Sequence, residues 1–215
     1  MPDLRSPPHG DAPIVRLAPA GATPARGVIM VHGRGASAES ITTLAPSLGL
    51  EDAVILAPQA SNSTWYPYSF LEPMDRNEPG ISSGLALLDR LVRQLEEEHI
   101  PLGCIALLGF SQGACLSLEF AVRHPRRYGA IIGFSGGLIG PPGTARSYAG
   151  TLVGTPVFVG CSDVDPHIPA ERVRETSAVL KRMGAAVDMR LYPGMPHTVN
   201  DDELTAARAL LDGMQ

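Results

Sequence analysis

Short apolar runs rich in Val and Ile alternate along the chain with stretches whose apolar positions recur every three or four residues. The runs "PIVRLA" (13–18), "GVIMVHG" (27–33), "AVILAP" (53–58), "CIALLGF" (104–110), "YGAIIGFSG" (128–136), "TPVFVGC" (155–161) and "AVDMRLY" (186–192) predict strands, the first at a sheet edge. Helices are predicted near 38–48, over 82–100, over 112–125, near 169–183 and over 201–214. In the 82–100 stretch, Leu85, Leu88, Leu91, Val92 and Leu95 fall on one face, and Ser82 or Ser83 stands where a helix cap would. Strands that are apolar throughout are buried on both faces. Their alternation with helices predicts the α/β class, with a mostly parallel central sheet of about seven strands and helices on both faces. The stretch 59–80 breaks the pattern, with Trp65, Tyr66, Tyr68 and Phe70 set among prolines.

Composition narrows the picture. A chain of 215 residues fits one domain, expected over 13–215 after a Pro-rich, polar and flexible segment at 1–12. Apolar content of 44% and charged content of 18% describe a compact folded protein. A net charge of -5, without a basic cluster, argues against a nucleic-acid partner. No apolar run approaches the roughly 20 residues of a membrane span. The N-terminus lacks an apolar signal core. Cys104, Cys115 and Cys161 are odd in number and contain no C-x-x-C pair, which fits reduced thiols in a cytoplasm.

In a parallel sheet, ligands bind at the carboxyl ends of the strands, so the residues just after each strand carry the candidate chemistry. Two runs there share the spacing Gly-x-Ser-x-Gly, around Ser111 in "GFSQG" and around Ser135 in "GFSGG". A nucleophile elbow needs a sharp turn between a strand and a helix, with glycines keeping side chains away from it. Ser111 has a predicted strand before it and a predicted helix after it. Ser135 is followed by "GGLIGPPG", which forbids a helix start.

A serine hydroxyl needs a base, and elbow hydrolases run Ser, then Asp, then His. His197 lies between the last strand and the last helix, where that order puts the base, and His32 precedes the elbow and shapes a loop. The acid belongs in "CSDVDPHIP", where spacing leaves Asp163 and Asp165 both open. An oxyanion hole would use the main-chain N–H of Gln112, just after the nucleophile, and that of Arg34 in "HGRGAS". The set of Cys, His and Asp lacks a compact metal-ligand spacing, so neither a metal nor an organic cofactor is expected.

The motifs "VHGRGA", "APQA", "GFSQGA", "DPHIP" and "PGMPHTV" together resemble the phospholipase/carboxylesterase family of α/β-hydrolases, over residues 26–212. That family includes acyl-protein thioesterases and small bacterial carboxylesterases. The resemblance implies an α/β-hydrolase fold, and the chain length leaves no room for a large cap domain. It implies Asp165 as the acid, because the aspartate of the family precedes Pro, a variable residue, an aliphatic and Pro, here Pro166 to Pro169. It also supports Ser111, His197, Arg34 and Gln112. Where many relatives carry a His-Gly pair before the acid loop, this chain has Cys161 and Ser162; where many thioesterases carry Leu, it has Arg34.

The expected activity is a carboxylesterase acting on small-molecule esters of short or medium acyl chains. The alternatives are a lysophospholipase, an acyl-thioester hydrolase, or a non-catalytic ligand-binding protein on the same scaffold. Candidate substrate contacts are Gly33, Trp65, Tyr66, Phe70, His167 and Met195. A weak homodimer is the one macromolecular partnership that the resemblance implies.

Overall fold

The computed structural model describes residues 7–19, 21 and 24–214. Seven strands form one sheet: β1 (Ile14–Leu17), β2 (Arg26–Val31), β3 (Ala53–Pro58), β4 (Ile105–Phe110), β5 (Ala130–Phe134), β6 (Pro156–Ser162) and β7 (Ala186–Tyr192). Their spatial order is β1-β3-β2-β4-β5-β6-β7. Only the edge strand β1 runs antiparallel, against β3; the other pairings are parallel. This is the mostly parallel α/β arrangement that the apolar runs predict.

Five α-helices cover the sheet: α1 (Ala38–Thr42), α2 (Gly80–Glu97), α3 (Gln112–Arg123), α4 (Ala170–Arg182) and α5 (Asp201–Asp212). The alternation of side chains along each strand divides the core in two. Ile29, Val31, Leu107, Ile131 and Val157 face one layer, with residues of α2, α3 and α4. Val28, Met30, Leu108, Ile132 and Phe158 face the other, with residues of α1 and α5. The Leu85–Leu95 face of α2 is buried, each leucine adding roughly 1.5–3 kcal/mol. Gly84 lets α2 sit against α3, since a Cβ there would come within 2.9 Å of Leu116.

Some boundaries differ from the sequence expectation. Helix α2 begins two residues before Ser82, and neither predicted serine caps it. The Glu78 carboxylate accepts from the Ser82 N–H at 3.0 Å and from its hydroxyl at 2.8 Å, so an acidic side chain does the work at that end. The 38–48 stretch divides into α1 and a 3₁₀ turn, Pro46–Leu48, because Pro46 cannot continue a helix.

Of the segment expected to be flexible, 1–12, residues 1–6 lie outside the described residues, whereas His9 and Gly10 are buried and Pro7, Pro8 and Asp11 are exposed. His9 is fully buried. Its main-chain N–H donates to Ser83 Oγ at 2.8 Å, and its ring lies 5.1 Å from that of Trp65.

Candidate active site

Parallel strands deliver the loops after β2, β4, β6 and β7 to one rim of the sheet. After β4 the chain turns at Ser111, with φ 54° and ψ -120°, and enters α3 at Gln112. A non-glycine residue with positive φ is strained by roughly 1–3 kcal/mol, and surrounding contacts must hold it there. The Ser111 N–H donates to the Phe134 carbonyl at 2.9 Å, fastening the turn to the end of β5. The flanking glycines are required by space: a Cβ on Gly109 would lie 2.4 Å from the Gly113 carbonyl oxygen, and one on Gly113 would lie 2.1 Å from that of Val31.

Ser135 also has positive φ, 48°. It is fully buried and opens no helix, so backbone strain alone does not mark a nucleophile.

His197 arrives on the loop between β7 and α5. Its Nε2 lies 2.9 Å from Ser111 Oγ, and its Nδ1 lies 2.6 Å from Asp165 Oδ2. The Asp165 side chain is fully buried in the loop between β6 and α4. Its other oxygen accepts from the main-chain N–H groups of His167 at 2.8 Å and Ile168 at 3.0 Å. Burial works to raise its pKa, but the bonds from His197 and these two N–H groups outweigh it and hold the carboxyl below its ordinary range. Cys161 lies with Sγ 3.7 Å from Asp165 Oδ2. Burial first, and the nearby carboxylate second, push its thiol up to about 12, so it stays protonated.

Asp163, the other aspartate that spacing left open, accepts from the Gly194 N–H at 2.8 Å. It ties the acid-bearing loop to the loop that carries His197. That second loop is anchored behind the histidine by a reciprocal cap on α5: Asn200 Oδ1 accepts from the Glu203 N–H, and Glu203 Oε2 accepts from the Asn200 N–H, both at 2.9 Å.

The N–H of Gln112 opens α3, among the donors that a helix leaves without an internal partner. Its side chain is taken up in bridging the 59–80 stretch: Oε1 accepts from the Trp65 N–H at 2.9 Å and Nε2 donates to the Tyr66 carbonyl at 2.8 Å. The guanidinium of Arg34 donates to the carbonyls of Tyr66, Pro67 and Tyr68 at 2.6–2.9 Å. Gly33 brings this loop against the elbow, where a Cβ would lie 3.4 Å from that of Ser111.

A cavity of about 420 Å³ opens over Ser111, and Gly33, Arg34, Tyr66, Phe70, Gln112, His167 and His197 all reach its wall. A second cavity, about 390 Å³, lies on the far side of His197 against Ile41, Leu44, Phe110 and Val199.

Two predicted substrate contacts lie elsewhere. Trp65 is fully buried behind the first cavity, its Nε1 donating to the His32 carbonyl at 2.9 Å. Met195 lies outside the walls of both cavities, with Sδ 2.9 Å from Asn200 Nδ2. Phe110 and Ile168 line the first cavity and were absent from the sequence-based set. Both flank predicted site residues, and nothing in their own type or spacing separates them from core.

A sequence model of the family described as Phospholipase/Carboxylesterase matches residues 14–214. The chain belongs to this family. It is a hydrolase that cleaves carboxylic esters, in keeping with the family's description and with those of its carboxylesterase members. Among solved structures in the family's fold, a phospholipase/carboxylesterase from Dyadobacter fermentans is 41% identical, with a TM-score of 0.88, 94% of this chain covered and 96% of that one. Acyl-protein thioesterase 1 of Debaryomyces hansenii is 27% identical over 93% of this chain and 96% of its own length. Esterase PE8, at 24% identity, shares the fold with a TM-score of 0.78 over 95% of this chain and 98% of that one. Among the described residues, no helix is long and apolar enough to cross a membrane.

Proposed function

We propose that the chain is a carboxylesterase in which Ser111 is the nucleophile, His197 the base and Asp165 the residue that orients it. The contact of one imidazole with both Ser111 Oγ and Asp165 Oδ2 carries this reading. Asp165 accepts a hydrogen bond from Nδ1–H and stays ionised, which leaves Nε2 free to take the serine proton. Ser111 Oγ attacks the ester carbonyl carbon, and the N–H groups of Gln112 and Arg34 receive the oxyanion. His197 then gives its proton to the departing alcohol as the ester C–O bond breaks. A water, deprotonated by His197, attacks the acyl-serine, and Ser111 leaves with the proton returned.

The acyl group occupies the first cavity, whose walls of Tyr66, Phe70 and Ile168 suit a short or medium apolar chain. The leaving alcohol departs on the His197 side, toward the second cavity. Three free cysteines support a reducing, cytoplasmic setting. A second reading, acyl-thioester hydrolysis, is favoured by the thioesterase relatives.

Nitrophenyl esters of increasing chain length, assayed beside acyl thioesters, separate the two readings. Ser111→Ala should abolish turnover and labelling by a fluorophosphonate, and Ser135→Ala should retain most of both. The opposite pattern would move the nucleophile to Ser135.

A further inference from the structure

The N-terminal segment carries a residue that the hydrolytic scheme leaves unused. His9 is buried behind Trp65, and both its ring nitrogens are engaged. The Ser61 N–H donates to Nδ1 at 3.1 Å, so Nδ1 must present a lone pair. The proton then sits on Nε2, which lies 2.9 Å from the Trp65 carbonyl and donates to it. Only one neutral tautomer satisfies both contacts. Burial lowers the pKa of His9 and so favours the neutral ring; the bond to the Trp65 carbonyl opposes this, and the neighbouring His32 adds to the lowering.

Trp65 connects this imidazole to both halves of the proposed oxyanion hole. Its N–H donates to the side chain of Gln112, whose main-chain N–H is one of the donors. Its indole N–H donates to the His32 carbonyl, two residues before Arg34, the other donor. His32 reinforces that side. The Ala60 N–H donates to its Nε2 at 3.0 Å, which leaves Nδ1–H to donate to the Gly33 carbonyl at 2.7 Å. One fully buried tryptophan therefore braces both donor loops, and His9 holds it from behind.

We propose that His9 is a positioning residue for the oxyanion hole, acting through Trp65. The N-terminal segment is then part of the catalytic apparatus and not a tail. This rests on the assignment of Gln112 and Arg34 as oxyanion donors.

His9→Phe keeps a ring against Trp65 and removes both hydrogen bonds; His9→Gln keeps the volume nearer to that of histidine and restores a donor for the Trp65 carbonyl. The chain has a single tryptophan, so its emission reports on this position alone. Oxyanion contacts are made in the transition state, so their loss lowers kcat more than it raises KM. Displacing such donors by a fraction of an ångström should cost His9→Phe about ten-fold in kcat per fluorophosphonate-titrated site, with KM for a short ester little changed. Its tryptophan emission should shift, and His9→Gln should recover most of the kcat.

The proposal is overturned if His9→Phe keeps the wild-type kcat per titrated site. It is equally overturned if the kcat of His9→Gln is no better than that of His9→Phe while the thermal midpoints of both fall together, since that is the signature of lost folding alone. Ser111→Ala, run in parallel, separates the two levels. If it still turns over, the active-site assignment fails; if it is inactive while His9→Phe is not impaired, only the role of His9 fails.

Discussion

Glu203 gives the loop behind His197 a stability that depends on pH. It is fully buried under β6, where a Cβ on Gly160 would lie 2.2 Å from its Oε1. Oε2 accepts from the Asn200 N–H, and Oε1 has no hydrogen-bond partner among the described residues. Burial raises its pKa from 4.5 to about 7, with the bond from Asn200 opposing. A raised acid binds its proton in the folded state at pH values where the unfolded chain has released it. Stability therefore falls as pH rises, chiefly between 4.5 and 7. Integrating over those two values, the folded state loses about 2.5 kcal/mol between about pH 5 and pH 8 from this group alone. Glu203→Gln keeps an acceptor for the Asn200 N–H and removes the titration. In urea unfolding, the midpoint of the wild type should move down by about 1 M relative to Glu203→Gln across that pH range, taking a slope of about 2–3 kcal/mol/M. Parallel pH dependences in the two proteins would refute the reasoning.

Two further outcomes follow from the site. Gly113→Ala should sharply lower soluble yield or melt the fold at reduced temperature, because its Cβ meets main-chain atoms of Val31 and His32 that cannot step aside; a variant with wild-type thermal stability would contradict the steric account of the elbow. Arg34→Met leaves the main-chain N–H in place but frees the Tyr66–Tyr68 wall, so hydrolysis should broaden toward longer acyl esters, with kcat/KM for the shortest falling several-fold; an unchanged chain-length profile would mean that the guanidinium does not hold the cavity shape.

The strands were legible because burial on both faces makes them apolar throughout, and their order along the chain suffices to bring residues 111, 165 and 197 to one rim. The choice between Asp163 and Asp165 was not legible from spacing. Both occupy the same loop, and only the neighbouring loop decides which carboxylate meets His197 and which meets the Gly194 N–H. Trp65 and Met195 are expected at the substrate but lie elsewhere; an aromatic side chain on a rim loop serves core and cavity equally well, so type alone does not place Trp65. His9 gave no signal at all. A histidine in a Pro-rich polar stretch looks solvated until a partner far along the chain supplies its carbonyl, and that contact spans 56 positions in the chain.

Met214, just past α5, packs beside Gly129 and near Arg26 and Cys104, at the amino ends of the parallel strands. That rim is opposite to the one on which Ser111 sits. A surface tether or fusion partner attached through the final turn of α5 would leave the cavities facing outward, whereas one attached near Pro7 would crowd the side from which His9 enters. Preparations for immobilised biocatalysis should therefore be anchored from the C-terminal side.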